Sequence, residues 1–356
     1  MSPSRCRHLA AILALCAVAA IPPAFGEDAP QTLVLDNGSV RLEATTAFGG
    51  RVLSWHLANE PNVLKIGQEA IRTQPRPDWS ANAGDIPYLG HDIWVGPQSQ
   101  WWVHQDVNPA RRKAAANWPP DPYLSLAPSR VISHDRQQFV LEGAASPVTG
   151  VQIRKHVSLS NASADTVMFE AQARNVRDTP VAWDLWFNSR VAASTRVFVP
   201  VASAQQDIDL TPSTDPGTTT PVHAWNQGMF VLAAAQSDSP AIQRGKYRLQ
   251  PSAGWMAGFA GHQLFLIRFE HQPRERIHPE QGQIELYLDA PSRMPAEGLL
   301  EMEVHAPYRS LPPGQTMQAN ERWTLLRYDG PDDAVAQRAF LCQQSARLSL
   351  ANACAP

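Results

Sequence analysis

The stretch from Leu299 to Tyr308 reads LLEMEVHAPY. Side chains alternate along a strand, so Glu301, Glu303 and His305 would share one face, with Leu300, Met302, Val304 and Ala306 on the other. Two carboxylates and an imidazole in a row suit acid–base chemistry, because neighbouring charges shift one another's pKa. A solvated sheet surface accounts for the same residues without any chemistry. A second stretch, WDLWFNSR (183–190), puts Asp184, Trp186, Asn188 and Arg190 on one face, against Trp183, Leu185 and Phe187. A third, GHDIWVGPQSQWWVHQD (90–106), gathers His91, Asp92, Trp94, Gln98, Trp101, Trp102 and His104. Aromatic faces stack on sugar rings, while amides and charged groups bond hydroxyls, so this mixture suits a polar ligand pocket. A loop tied down by its own tryptophans is the plainer alternative.

Other chemistries fit less well. His305 with Glu301 and Glu303, or His91 with Asp92 and His104, could hold a divalent ion. Neither set has a diagnostic spacing, and no metal or other cofactor is expected. The chain has no Gly-x-Ser-x-Gly elbow, no glycine-rich phosphate loop and no dinucleotide fingerprint.

The elements that would carry these residues read as strands. QTLVLDNGSVRLEAT (31–45) predicts a hairpin turning at Asn37-Gly38. GGRVLSWHLA, GVQIRKHVSLS, DTVMFEAQARNV, VAWDLWFNSRVA, HQLFLIRFEH, GQIELYLDA, GLLEMEVHA and NERWTLLRYD continue the alternation. Many short strands predict a sandwich or barrel. Residues 70–130 show little periodicity and read as a long insertion. Trp79, Tyr88, Trp94, Trp101, Trp102 and Trp118 argue that it is ordered. TPSTDPGTTTP (211–221) has linker composition. Helical spacing is convincing only over 332–350, with Asp332 as its cap.

The ends bound the setting. Arg5 and Arg7, the apolar run 9–21 and Ala24-Phe25-Gly26 predict a cleaved signal peptide over 1–26, cut near Gly26. Cys16 leaves a lipoprotein as the lesser alternative. A periplasmic or secreted protein is expected, with one domain over 27–330 and a helix and tail over 331–356. Cleavage would leave 28 basic against 33 acidic residues. That balance excludes a nucleic-acid partner, which wants a basic face. No later stretch is long and apolar enough to span a bilayer. Cys342 and Cys354, in an exported chain, predict a disulfide pinning the tail. The oligomeric state is open.

Several of these segments together resemble the galactose-mutarotase-like (aldose 1-epimerase-like) superfamily. LDNGSVRLEATTAFGGRVLSWHLANEPNVL (35–64) resembles its opening strands, with a glycine pair before Arg51. IRKHVSLSNASADTVMFEAQARNVRDTPVAWDLWFNSRV resembles its central strands. GLLEMEVHAPYRSLPPGQTMQANERWTL (298–325) resembles its ending, with Leu311, Pro313 and Gly314 in a Leu-x-Pro-Gly turn. HDIWVGPQSQWW and EMEVHAPYRSLPPGQTMQANERW narrow the likeness to a bacterial branch known as a domain of unknown function. The resemblance implies an all-β fold, a large antiparallel β-supersandwich with a sugar cleft on a concave sheet. It implies a carboxylate base at Glu303, with Glu301 beside it. The family's acid is a His in a His-x-Tyr-Phe-Asn motif, and here Asp184 stands in that place, followed by Trp186, Phe187 and Asn188. An ionised carboxylate cannot donate a proton, so Asp184 is the catalytic acid only if burial or a nearby Glu303 raises its pKa, and His305 or His91 could substitute for it. The expected ligand is a carbohydrate, stacked on Trp94, Trp101, Trp102 and Trp186 and bonded by Gln98, Asn188, Arg51 and Arg190. Two functions follow: an aldose-epimerase-type isomerase, or a non-catalytic glycan-binding or envelope-scaffold protein.

Overall fold

Alternating apolar residues on successive strands leave each sheet with one face to bury, and two sheets bury theirs against each other. The computed structural model describes residues 31–235, 241–291 and 297–354. Among these, one sheet has eleven strands and the other ten. The first runs in the order Thr32–Asp36, Val40–Thr45, Val52–Leu57, His91–Gly96, Val181–Ala192, Leu299–His305, Ile284–Ala290, Ile242–Leu249, Ile208–Pro212. Its partners along this path are antiparallel, and strands distant in sequence meet at its centre. The second sheet is built around Thr166–Asn175 and Thr316–Arg327. Leu185, Phe187, Leu286, Leu300, Met302 and Val304 meet Phe169, Phe265, Trp323 and Leu325 in one core between the sheets. The expected all-β supersandwich with a short C-terminal helix is the fold observed.

The hairpin at 36–41 forms, with a shifted turn. Asn37 N–H bonds Val40 O, and the positive φ of 83° falls on Gly38 alone. Asn37 instead serves as an acceptor, its Oδ1 taking Ser39 N–H and Val40 N–H at 3.0 Å each. The C-terminal helix spans Ala334–Leu348 and is capped by Asp333, whose side chain accepts Ala336 N–H, while the expected cap, Asp332, pairs with Arg196. This helix lays Leu341 and Leu348 against Trp255, Phe259 and Tyr328 of the second sheet. Cys342 and Cys354 are bridged. The signal peptide and Cys16 lie outside the described residues.

Two expectations change. The 70–130 insertion contains a central strand, His91–Gly96, besides short helices at Pro109–Lys113 and Pro122–Ser125. Residues 211–221 are not a linker: Thr211 and Pro212 end a strand, and Ser213 and Thr214 continue along the rim of a cleft.

One core residue is a carboxyl. Glu321 shares the inward face of its strand with Trp323, whose indole N–H donates to Glu321 Oε2 at 2.7 Å. Burial pushes its pKa up to about 8. The unfolded chain ionises near the ordinary value, so the stability this proton carries is complete below that value and lost as pH rises through about 8. Glu321→Gln keeps an acceptor for Trp323 without the titration. Urea melts of the variant should lose less stability between about pH 5 and 8 than the parent, by up to roughly 4 kcal/mol. Parallel pH profiles for the two proteins would refute this.

Candidate functional site

Strand register assembles the site. On the first sheet's outer face, cross-strand pairing aligns Asp92, Asn188, Glu303, Glu285 and Arg248 in one row. The next row is Arg190, Glu301, Tyr287, Lys246 and Thr211. Trp94, Trp186 and His305 form a third. Alternation places all these side chains opposite the inter-sheet core. Most of them floor a two-lobed cleft, one lobe of about 740 Å³ and one of about 430 Å³, with Gln98, Trp186, Lys246 and Arg248 lining both. Asp92, Asn188 and His305 are fully buried just beneath and line neither lobe, so Asn188 does not bond a ligand as expected, and its amide instead holds Glu301 and Glu303.

Lys246 sits at the junction. Its ammonium lies 2.6 Å from Glu285 Oε2 and 2.8 Å from Glu303 Oε2, and 4.9 Å from the Trp186 ring centre. Burial alone would lower its pKa, and the two carboxylates reverse that and raise it. Glu303 also accepts Asn188 Nδ2–H at 3.0 Å on its other oxygen. Burial, supported by Glu301 and Glu285 and opposed by Lys246, pushes Glu303 up to about 8. Glu285 meets the same burial, but Lys246, His305 and Arg248 overcome it and hold the carboxyl low.

His305 is fully buried beside Glu303. Burial pulls its pKa down, yet Asp184, Glu285 and Glu303 outweigh that and raise it. Asp184 Oδ1 accepts Gly96 N–H at 3.1 Å and lies 3.4 Å from His305 Nδ1. The Gln281 amide lies 2.8 Å from the same ring nitrogen. Gln281 Oε1 is otherwise unpartnered, so turning the amide to put its oxygen toward Nδ1 gives that ring N–H an acceptor. Gly96 is needed for this approach, since a Cβ there would stand 2.3 Å from Gln281 and 2.7 Å from Asp184. Asp184 lines neither lobe and holds His305 rather than touching a ligand. His305 Nε2 has no hydrogen-bond partner among the described residues, and Glu285 Oε1 lies 3.8 Å from it.

Not every expected residue joins them. His91 faces the inter-sheet core, bonded to Ser189 Oγ at 3.0 Å and packed against Phe169 and Trp323. Burial, with Lys155, Arg190 and Arg51 nearby, pulls its pKa well down, so it is no proton donor. Trp102 is buried with its N–H on Pro119 O, and Trp101 with its N–H on Val95 O, so neither contacts the cleft as expected. Trp186 reaches the cleft, but Trp101 stacks on it at 5.7 Å and the His305 ring lies at 4.8 Å. Its faces are occupied, and it does not offer the stacking surface expected of it. Trp94 lines the large lobe with its N–H on Asp92 Oδ2 at 3.0 Å. The open ring is Trp118, 49% exposed, packed edge-on to Trp94 and also lining this lobe. Gln98 Nε2 donates to Asn117 O and so fixes the segment that carries it.

Arg51 is tied down by Asp92 Oδ2 at 2.6 Å and Leu89 O at 2.7 Å, and Lys155 Nζ lies 3.5 Å from Asp92 Oδ1. Arg190 pairs with Glu301 at 2.9 Å through Nε and lies over the Trp94 ring at 4.8 Å. Glu301, also bonded by Asn188 Nδ2, lines the large lobe.

The residues missed are Trp118, Lys246, Arg248, Arg244, Glu285 and Tyr287. For all but Trp118, which lies on no strand, the signal was the same alternation: IQRGKYRL sets Arg244, Lys246 and Arg248 opposite Gln243, Gly245, Tyr247 and Leu249. For a metal, Glu285, Glu303 and His305 offer ligand atoms within 4.8 Å of one another. The Lys246 ammonium, on both carboxylates, takes the place a cation would fill. His104 is exposed and outside that group.

The profile of the domain-of-unknown-function family DUF4380 matches residues 31–326. The chain belongs to that family. No curated protein sequence matches this DUF4380 chain. Among solved structures it is similar to a galactose mutarotase-like protein from Lactobacillus casei ATCC 334, with 10% identity and a TM-score of 0.53, over 83% of this chain and 100% of that one. It is also similar to the Slr1438 protein from Synechocystis sp. PCC 6803, with 14% identity and a TM-score of 0.52, over 86% and 99%. At such identity the likeness establishes the galactose-mutarotase-like fold of the DUF4380 chain.

Proposed function

We propose that the concave cleft binds a carbohydrate and that Glu303 and His305 act as base and acid on its anomeric centre. The observation carrying this reading is the pair itself. Glu303, whose pKa is pushed up to about 8, and His305, whose pKa its carboxylate neighbours raise, offer atoms within 4.8 Å of one another, a span that suits two oxygens attached to one carbon. Glu303 would take the proton of the anomeric hydroxyl as His305 protonates the ring oxygen. The ring C–O bond breaks, the open-chain carbonyl forms, and reclosure on the other face returns both protons. Asp184 orients and charges His305, which answers its place in the family's acid position without requiring it to donate.

Lys246 favours the second reading, a glycan-binding protein without turnover. Its ammonium covers Glu303 and must shift before a hydroxyl can reach that oxygen. Polarimetry over a panel of aldoses separates the two: accelerated anomer equilibration supports the enzyme, and retained binding with no acceleration leaves only the binder. In either case Trp118→Ala should weaken sugar affinity about tenfold without lowering the melting temperature, because the ring is half exposed. Unchanged titrations of tryptophan fluorescence would refute Trp118 as the stacking surface. The reading includes export, supported by the signal-like residues 5–26, and fractionation of cells expressing the full chain tests it.

A further inference from the structure

The large lobe has donors without acceptors. Arg190 is 4% exposed and its Nη1 has no partner among the described residues, while Nε is taken by Glu301. Trp186 is 3% exposed and its indole N–H is likewise unpartnered. Both residues line this lobe. A buried N–H left unpaired costs about 1–3 kcal/mol, more when charged, so a ligand rich in acceptors relieves a standing penalty. The lobe's described lining carries five basic side chains against four acidic ones. One of those acids, Glu303, is pushed up to about 8 chiefly by burial, which tips the balance further to the positive side. Its 740 Å³ lies in the range for drug-sized ligands, a size that a disaccharide reaches and a single sugar does not.

We propose that the cleft recognises an acidic oligosaccharide, with an oxyanion group of one sugar unit bound at Arg190 Nη1. The inference rests on the carbohydrate-binding reading and specifies its ligand. The oxyanion is held by a charge-assisted N–H bond, and the Trp186 N–H, four residues away along the same strand, supplies a second donor in the lobe. Neighbouring units extend past Lys246 into the smaller lobe. A carboxylate and a phosphate share this chemistry, and the probes distinguish them.

Calorimetry of the intact protein with uronic acid trimers of several configurations, their methyl esters and hexose 6-phosphates tests the proposal. At least one acidic trimer should bind about tenfold tighter than its methyl ester, and that preference should shrink as salt rises from about 50 to 500 mM, since screening weakens the charged contact. Arg190→Gln should abolish the preference for acid over ester, and a preference retained in that variant overturns Arg190 as the oxyanion site. The ester comparison and the salt series need no variant, so a misfolded Arg190→Gln protein does not block the test. Tighter binding of the hexose phosphates than of every trimer assigns the oxyanion to phosphate and overturns the oligosaccharide. Equal affinity for acids and esters overturns the inference and leaves carbohydrate binding standing. Binding of no sugar in the panel overturns both.

Discussion

Replacing Glu303 by Gln is expected to slow catalysed anomer equilibration at least about a hundredfold while leaving sugar affinity within about threefold. The amide matches the carboxylate in shape and keeps an oxygen for Asn188 Nδ2–H, but it cannot take up a proton. The pH dependence carries the same signature. Glu303 is pushed up to about 8, so its basic form grows and the parent rate should climb as pH approaches that value. The rate should fall again where His305 loses the proton that Asp184 and its neighbours help it keep. Polarimetry or exchange NMR reads both effects. A Glu303→Gln protein as fast as the parent would remove Glu303 from the chemistry.

Asp92→Ala is expected to cost about 3–5 kcal/mol of folding stability. Asp92 is fully buried, and Arg51 and Lys155 are nearly so. Burial already drags both bases below their ordinary pKa values, and Asp92 is what opposes it. Removing the carboxylate leaves two cations in the interior without the counter-charge they share and deprives the Trp94 indole of its acceptor. Adding Lys155→Met to Asp92→Ala should recover part of the loss, because one orphaned charge disappears. Urea unfolding measures both. A stability within about 1 kcal/mol of the parent would show that the network is replaceable.

Period-two alternation made much of this legible. The faces of Val181–Ala192 and Leu299–His305 are those expected, because both strands keep an apolar side for the core and a polar side for the cleft. The same rule fails at 91–96 only because that strand is hidden in a Pro-rich and Trp-rich segment and is buried on both faces. Once it is seen as a strand, His91 and Trp94 must point opposite ways, so they could never have shared one pocket. Ile242–Leu249 escaped notice for another reason: its glycine and three cations weaken the strand signal, although its alternation is regular. The buried ion network could not be read at all. Pairing Lys246 with Glu285 and Glu303 depends on which strands become neighbours, and strand order is a global outcome of packing.

The rows across the cleft have a consequence for how its chemistry can change. Each step along a row is fixed by backbone hydrogen bonding at about 4.8 Å, whatever side chain stands there. A substitution at Glu285, Tyr287 or Arg248 therefore rewrites one mark on a ruler without moving the others. New ligand specificities can be reached by exchanging the cleft-lining letters of a row, such as Tyr287 and Arg248, while the scaffold beneath keeps its Asp92 pairing and continues to fold on its opposite, apolar face.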